Sequence, residues 1–264
     1  LQVVVSDQRD KKEQIISCLD LSKRIPKFYV YHMAKVQQFY LDFLKVPKNL
    51  FRFYELNDKE KAFYNKYHFD MEINFPDLDW VEIGGVHYRT DHDLKGHQEI
   101  SKQNLLVFDE ESKEKFIPHV LELSFGLDRL FQAIITLAYY QDKEKGNVVL
   151  KLNPKLSPIK AAVFPIVKKP EFEKFARKIF DDLKKDWNVI YDKSGSIGRR
   201  YARNDEVGTP FCITVDEESL KKKDVTIRDR DTAKQIRVKI SNLKNILRDL
   251  IEGKIKFDNV GKLI

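Results

Sequence analysis

Hydrophobic positions recur along this chain with two periods, about 3.6 residues for helices and about 2 for strands. After a short strand at Val3-Val4-Val5, a helix opens at Pro26, carries Phe28, Tyr31, His32, Val36, Phe39, Tyr40 and Phe43 at helical spacing, and ends at Pro47. Phe51-Arg52-Phe53-Tyr54, Phe69–Phe75 and Trp80–Tyr88 alternate as strands do. A charged helix is expected near Asp58–Asn65, and a charged hairpin or loop at 109–115. His119–Phe125 reads as a strand, and Gly126 turns it into an apolar helix with Leu127, Leu130, Phe131, Ile134, Ile135 and Ala138 on its faces. The strongest break is Asn153-Pro154-Lys155-Leu156-Ser157-Pro158. Beyond it the pattern predicts strand Ala161–Val167, a helix through Phe172, Phe175, Ala176, Ile179, Phe180 and Leu183, and strand Asn188–Tyr191. A helix over Ile197–Val207 stopped by Gly208 follows, then strands Phe211–Val215, Val225–Arg228 and Gln235–Ile240, and a last helix capped by Ser241. The second half therefore reads as a compact α/β domain on a small mixed sheet.

Charge changes at the same break. From Lys155 onward there are 26 Lys and Arg against 17 Asp and Glu, a net of +9, while the first part is at −2. A polyanion is drawn to the second half, although a solvated basic surface with no partner has the same composition. All six histidines precede residue 120. The two cysteines, Cys18 and Cys212, form no CxxC, which argues against a zinc ribbon or a disulfide framework and suits a reducing cytosol. With no apolar run of membrane-spanning length, a membrane role is not expected.

Three stretches carry candidate chemistry. In Glu122-Leu123-Ser124-Phe125-Gly126-Leu127-Asp128-Arg129, strand alternation puts Glu122 and Ser124 on one face, and Arg129 falls in the first turn of the next helix. Spacing alone favours a plain Glu122–Arg129 ion pair at a strand–helix corner over an arginine that stacks on a base or neutralises phosphate. In Trp80–Leu94, the Gly84-Gly85 pair leaves room for a ligand against the backbone. Glu82 and Arg89 are an odd number of residues apart, so they share a face only if a bulge at Gly84-Gly85 or an early strand end intervenes; a half-exposed strand with surface charges is the plainer reading. His87, Asp91, His92, Asp93 and His97 match no standard zinc spacing. In Ser194–Gly208 a Gly/Ser loop feeds a helix carrying Arg199, Arg200 and Arg203, with Arg200 and Arg203 on one face and Arg199 and Arg203 also neighbours. That arrangement suits phosphate, unless Asp205 and Glu206 neutralise the arginines; nearby, Arg228-Asp229-Arg230-Asp231 alternates charge as surface ion-pair ladders do.

Together these stretches resemble glycyl-tRNA synthetases of the archaeal/eukaryotic type. HVLELSFGLDRL, within 119–131, is similar to motif 3 of class II aminoacyl-tRNA synthetases, and WVEIGGVHYRTDHDL to a W-[IV]-E-[ILV]-x-G-x-x-x-R-[TS]-D-x-D-L segment of the glycyl enzymes. SGSIGRRYARNDEVGTPF and TIRDRDTAKQIR resemble signature runs of their anticodon-binding domain, and YHMAKVQQFYLDFL with FRFYEL the segment between motifs 2 and 3. Leu123 stands where the family usually has proline, and His87-Tyr88 where it has small residues. Motifs 1 and 2 are absent, so the chain reads as starting after motif 2, as a truncation or one half of a split enzyme.

The resemblance implies the later part of a class II antiparallel-sheet catalytic domain over 1–153, followed by an α/β anticodon-binding domain with a small mixed sheet over 154–264. It implies glycine attached to tRNA(Gly) through a glycyl-adenylate made with ATP and Mg²⁺, with no tightly bound metal. Glycine falls to Glu82, Arg89, Glu122 and Ser124; ATP to Glu122 and Arg129, which are also the catalytic candidates; tRNA to Arg199, Arg200, Arg203, Arg228 and Arg230. The N-terminal remainder of the enzyme, a homodimer when complete and a cytoplasmic setting are further expectations. Without the motif 2 arginine this chain alone is expected to be inactive. The alternative is a non-catalytic paralogue that binds tRNA or serves a polymerase.

Overall fold

The computed structural model describes residues 1–5, 14–142 and 146–264. The chain divides into two compact units, Leu1–Ile134 and Ile135–Ile264. The first is built from β1 (Gln2–Val4), β2 (Gln14–Ile15), α1 (Cys18–Leu21), α2 (Lys27–Gln38), β3 (Phe51–Glu55), β4 (Tyr67–Phe75), β5 (Asp79–Thr90), α3 (His92–Ser101), β6 (Val107–Phe108), β7 (Lys115–Phe116), β8 (Val120–Phe125) and the start of α4 (Leu127–Ala138). Its six-stranded sheet runs β2-β1-β3-β4-β5-β8, antiparallel except for β1 beside β3.

Strict alternation in β4 fixes the two faces of this sheet. Phe69, Met71, Ile73 and Phe75 are buried, while His68, Asp70, Glu72 and Asn74 between them point the other way. The apolar face is covered by α2, whose Tyr29, Val30, Met33 and Val36 are buried and whose Tyr29 hydroxyl donates to the Val86 carbonyl at 2.5 Å. Phe39–Phe43 continues α2 with wider π-type turns, burying Tyr40 against Phe51. The polar face is left open. The charged helix expected at 58–65 does not form: the segment makes isolated turns, with Asn57 and Ala62 carbonyls accepting the N–H groups of Lys61 and Asn65. So short a segment needs an apolar face to bury, and Phe63 here is 88% exposed.

The second unit comprises β9 (Tyr139–Gln141), β10 (Val148–Leu150), β11 (Ala161–Pro165), α5 (Pro170–Leu183), β12 (Val189–Tyr191), α6 (Ile197–Glu206), β13 (Phe211–Val215), α7 (Glu217–Lys222), β14 (Asp224–Asp229), β15 (Gln235–Lys239), α8 (Ile240–Ile251) and β16 (Lys262–Leu263). Its mixed sheet runs β12-β11-β13-β14-β15-β16, with β11 parallel to both neighbours and the rest antiparallel. On one face α5 and α8 bury Phe172, Ala176, Ile179, Leu183, Leu243 and Leu247 against Val163, Ile213 and Ile227. On the other, Ile197 and Tyr201 of α6 pack on Ala162, Phe164 and Cys212. Ser241 does not cap α8: the helix starts at Ile240, straight out of β15, whose turn is closed by the Ile240 N–H on the Lys223 carbonyl. The β9–β10 ribbon packs on α6, so the unit begins ahead of the Pro154–Pro158 break.

Candidate active site and nucleic-acid interface

The open face of the first sheet gathers Arg52, His68, Asp70, Glu72, Glu82, His87, Glu122 and Ser124. Cross-strand register does this: Glu72 opposes Arg52 and Glu82, Asp70 opposes Gly85, and His87 and Gly85 oppose Glu122 and Ser124. The register of β4 against β5 slips between Met71 and Glu72, which leaves Ile83 as an extra residue. That bulge reverses the parity along β5 and brings Glu82 to the face of Gly85 and His87. Close approach of β8 needs Gly84, because a Cβ there would collide with the Ser124 carbonyl oxygen.

A second slip lies at Arg89, between Tyr88 and Thr90. The Arg89 guanidinium is gripped on two sides. Its Nε and Nη2 donate to the Asp93 carboxylate at 2.7 and 2.7 Å, and Nη1 donates to Glu122 Oε2 at 2.6 Å. The Tyr64 ring lies 4.3 Å from its central carbon. Asp93, then Glu122, push the guanidinium pKa further up, and Arg89 holds the Asp93 carboxyl below the usual range. Arg129, in the first turn of α4, donates through Nη1 to the Glu82 carbonyl at 2.8 Å and lies 3.5 Å from the Glu82 carboxylate. The pairing is thus crosswise: Glu122 takes Arg89 and Glu82 takes Arg129, not the Glu122–Arg129 pair that spacing favoured.

Ser124 meets His87, whose Nε2 is 3.1 Å from its hydroxyl. Nδ1 of the same ring is 3.3 Å from the Asn65 amide nitrogen, and the His68 ring lies 4.0 Å away between centroids. Burial, then the neighbouring His68, lowers the His87 pKa. Further along the face Arg52 bonds Glu72 at 2.6 Å and stacks on Trp80 at 4.0 Å; burial pushes the Glu72 carboxyl up in spite of Arg52. Sequence reasoning missed Tyr64, Asn65 and His68, and weighed Asp93 only as a metal ligand. The period of β4 could have placed His68, but Asn65 and Asp93 sit where no period runs. Among the described residues no group of three or more His, Cys, Asp and Glu is arranged to hold a metal ion. No helix among them is long and apolar enough to cross a membrane.

The arginines of the second unit divide sharply. Arg200 is 2% exposed and donates to the carbonyls of Pro165 at 2.5 Å and Gly195 at 2.9 Å. Arg230 is 4% exposed and donates to the carbonyls of Gly208 and Leu152 at 2.8 and 2.7 Å, and to Asp231. Arg228 makes a two-pronged pair with Asp205 at 2.8 and 3.0 Å and stacks on Tyr201. These three hold the unit together; of the two neighbouring pairs that spacing offered, Arg200 and Arg203 are split by the burial of Arg200, and Arg199 and Arg203 are both exposed. Arg203 leans on Asp192 at 2.5 Å; Arg199 faces solvent. The alternating Arg228–Asp231 run is no surface ladder, because Pro210 accepts the Arg230 N–H and draws the side chain inward.

Comparison with known proteins bears on the family and the fold. Residues 160–250 match the anticodon binding domain family. The glycine–tRNA ligase of Corynebacterium efficiens is 44% identical over 225 residues, covering 82% of this chain and 49% of the relative. That of Caldanaerobacter subterraneus subsp. tengcongensis is 43% identical over 226 residues, covering 84% of this chain and 48% of the relative. The chain therefore spans about half the length of the curated relatives it matches. Among solved structures, a prolyl-tRNA synthetase from Cryptosporidium parvum, complexed with L-proline and AMP, has the same fold at TM-score 0.60 and 20% identity, over 89% of this chain and 47% of that one. The fold is that of a class II synthetase, antiparallel sheet plus mixed α/β domain: residues 160–250 belong to the anticodon-binding domain family, and the chain is a homologue of glycine–tRNA ligases over about half their length.

Proposed function

We propose that this chain supplies the amino-acid face and the anticodon-reading domain of a glycyl-tRNA synthetase of the type found in archaea and eukaryotes. One observation carries the reading. Arg89 is anchored by Asp93 through Nε and Nη2, and only its Nη1 is spent on Glu122. A zwitterion of glycine's size can insert there: its ammonium takes Glu122, its carboxylate takes the freed Nη1, and Arg89 stays oriented by Asp93 throughout. Each new contact is charge-assisted, so the exchange replaces one ion pair with two. Ser124 and Glu82 line the same face. Arg129, held at the Glu82 carbonyl, offers its flat guanidinium to the adenine of ATP.

The reaction then follows from position. The glycine carboxylate attacks the α-phosphate of the Mg²⁺–ATP substrate, pyrophosphate leaves, and a ribose hydroxyl of tRNA(Gly) accepts the glycyl group. No protein nucleophile is needed; orientation and charge supply the acceleration. Of the five arginines expected to meet tRNA, Arg199 and Arg203 are open to its backbone, and Arg200, Arg228 and Arg230 shape the domain behind them. The complete enzyme includes the half that the relatives possess beyond this match, is a cytoplasmic homodimer, and draws its α-phosphate arginine from that half. The relatives' shared name weighs against a non-catalytic paralogue.

Pyrophosphate exchange tests this. The complete enzyme should exchange in a glycine-dependent manner, and these 264 residues alone should not. Exchange by the complete enzyme that ignores glycine would sink the reading; exchange by this chain alone would sink the claim that the α-phosphate contact lies outside it.

A further inference from the structure

The second unit holds a cavity that neither the glycine reading nor the tRNA reading uses. Helices α5 and α8 lie on the same face of the mixed sheet and leave 440 Å³ open between them. Phe175, Ile179 and Leu183 of α5 form one wall, and Ile240 and Leu243 of α8 the other. Phe175 and Leu183 are eight residues apart on their helix, about 12 Å. A lysine closes each end. At one, Lys223 sets its ammonium 5.0 Å from the centre of the Phe175 ring. At the other, Lys244 reaches from α8 to Asp182 at 3.1 Å and to Asp186 at 2.7 Å. The start of α8 is pinned beside Lys223, whose carbonyl accepts the Ile240 N–H.

The walls are apolar and the rim is basic. Lys178, Lys223 and Lys239 are all exposed there, and Lys239 donates to the Lys222 carbonyl at 2.9 Å. Among the described residues no carboxylate pairs with Lys178 or Lys223. Asp182 is the one carboxylate in the lining, and Lys244 already answers it. Ser241 is the one neutral polar side chain. Such walls give a nucleobase or a sugar little to bond, and give water few partners. A body without polar groups loses nothing inside and is driven in by its own dehydration. The lysines then select the charge at its open end, because a cation at this mouth meets like charges. We infer that the cavity is a binding site for a small carboxylic acid with an apolar body, aliphatic or aromatic, whose carboxylate meets Lys178 and Lys223. Its volume suits such a ligand, since small-molecule sites run from about 300 to about 1,000 Å³. The arginines proposed for tRNA belong to α6, which packs on the opposite face of the sheet, so the cavity is separate from that interface. It is equally independent of the glycine reading.

Calorimetric titration of the whole 264-residue chain tests this. The probes are decanoate and 2-naphthoate as acids, and 2-naphthylmethylammonium as a similar body of opposite charge. At least one acid should bind at one site per chain, and the ammonium should not. Lys178→Glu combined with Lys223→Glu reverses the rim and should weaken the acid about 10-fold or more. Ser241→Trp lays an indole across the mouth and should abolish binding. All three positions are exposed, so both variants should unfold at the wild-type temperature, which separates loss of the site from loss of the fold. Acid affinity unchanged in either folded variant overturns the inference, because the acid then sits elsewhere. An ammonium that binds as well as the acids overturns it too, by removing the role of the lysines. Binding of neither acid overturns it outright, and leaves glycine-dependent exchange to judge the catalytic reading by itself.

Discussion

The two units use arginine in opposite ways. In the first, Arg89 and Arg129 end on carboxylates that remain partly open: Glu122 and Glu82 keep 38% and 54% of their side-chain surface. In the second, Arg200 and Arg230 end on main-chain carbonyls and are almost wholly buried. A guanidinium has five donors in a rigid fork. Ended on solvent-facing carboxylates, the fork can trade partners with a charged ligand. Ended on buried carbonyls, it is a brace joining segments distant in sequence, as Arg230 joins Leu152 to Gly208. Partner and burial, not residue type, separate a binding arginine from a structural one.

Stability gives the largest expected contrast. Arg230→Ala orphans two buried carbonyls and should destabilise the second unit by about 3 kcal/mol or more, since each unsatisfied buried polar group costs about 1–3 kcal/mol. Arg129→Ala removes an exposed contact and should change the first unit by no more than about 0.5 kcal/mol. Each unit has one tryptophan, Trp80 in the first and Trp187 in the second. Urea unfolding followed by fluorescence, with the other tryptophan replaced by phenylalanine, therefore resolves them. Equal losses in the two units would erase the distinction.

Function should reverse that order. Glu122→Gln in the complete enzyme keeps shape and removes the charge facing the ammonium, which should cost about 1–3 kcal/mol in kcat/KM for glycine. Half-saturation by ATP should move far less. If glycine dependence is unaltered, Glu122 serves only to orient Arg89.

Among the second unit's arginines, exposure should decide which ones RNA feels. Arg199→Ala in a fragment spanning Ile135–Ile264 should weaken binding to glycine tRNA by a few-fold and flatten the dependence of log affinity on log salt by about one charge. Arg203→Ala should do less, because Asp192 already answers it. Titrations at two salt concentrations, repeated with an anticodon-swapped tRNA, check both. A salt slope untouched by Arg199→Ala would take the backbone contact elsewhere on the domain.

Much of this was legible in sequence, for reasons that also explain what was not. Strands β3, β4 and β15 and helices α2, α5 and α8 show the right period because one face of each is buried, whereas β11 and β13 are buried on both faces and read as continuous apolar runs. Helix α3 buries none of its residues and so carries no stripe to read; α7 is short, although Asp216 and Ser219 form a capping box that could have announced it. Glu82 and Arg89 reach one face through a bulge that parity demanded and the glycine pair suggested at Gly84-Gly85; it lies one residue earlier, at Ile83. The burial of Arg200 and Arg230 was invisible because their partners are backbone carbonyls, which every sequence possesses. The Asp58–Asn65 helix failed on the opposite ground: helix-forming residues were present, and a surface to pack against was not.

The smallest expected effect tests the open face through His87. Its pKa lies below the ordinary 6.5, chiefly through burial and then through His68 and Arg89, with Glu122 and Asp70 opposing. The unfolded chain therefore takes up a proton here at a higher pH than the folded one does. Between the two pKa values the unfolded state binds more protons, so stability rises with pH in that window. The contribution is complete above the ordinary histidine value and is lost as pH falls through the folded one. In urea unfolding of the first unit, followed at Trp80, wild type should lose stability as pH falls below the ordinary histidine value, and His87→Phe should lose less of it because it has no proton to gain. The difference between the two curves, rather than either slope, is diagnostic, since His68 and the carboxylates of the same face remain in both. Parallel curves would mean that the imidazole takes up its proton as readily folded as unfolded. That would be incompatible with a neutral ring held between Asn65 and Ser124.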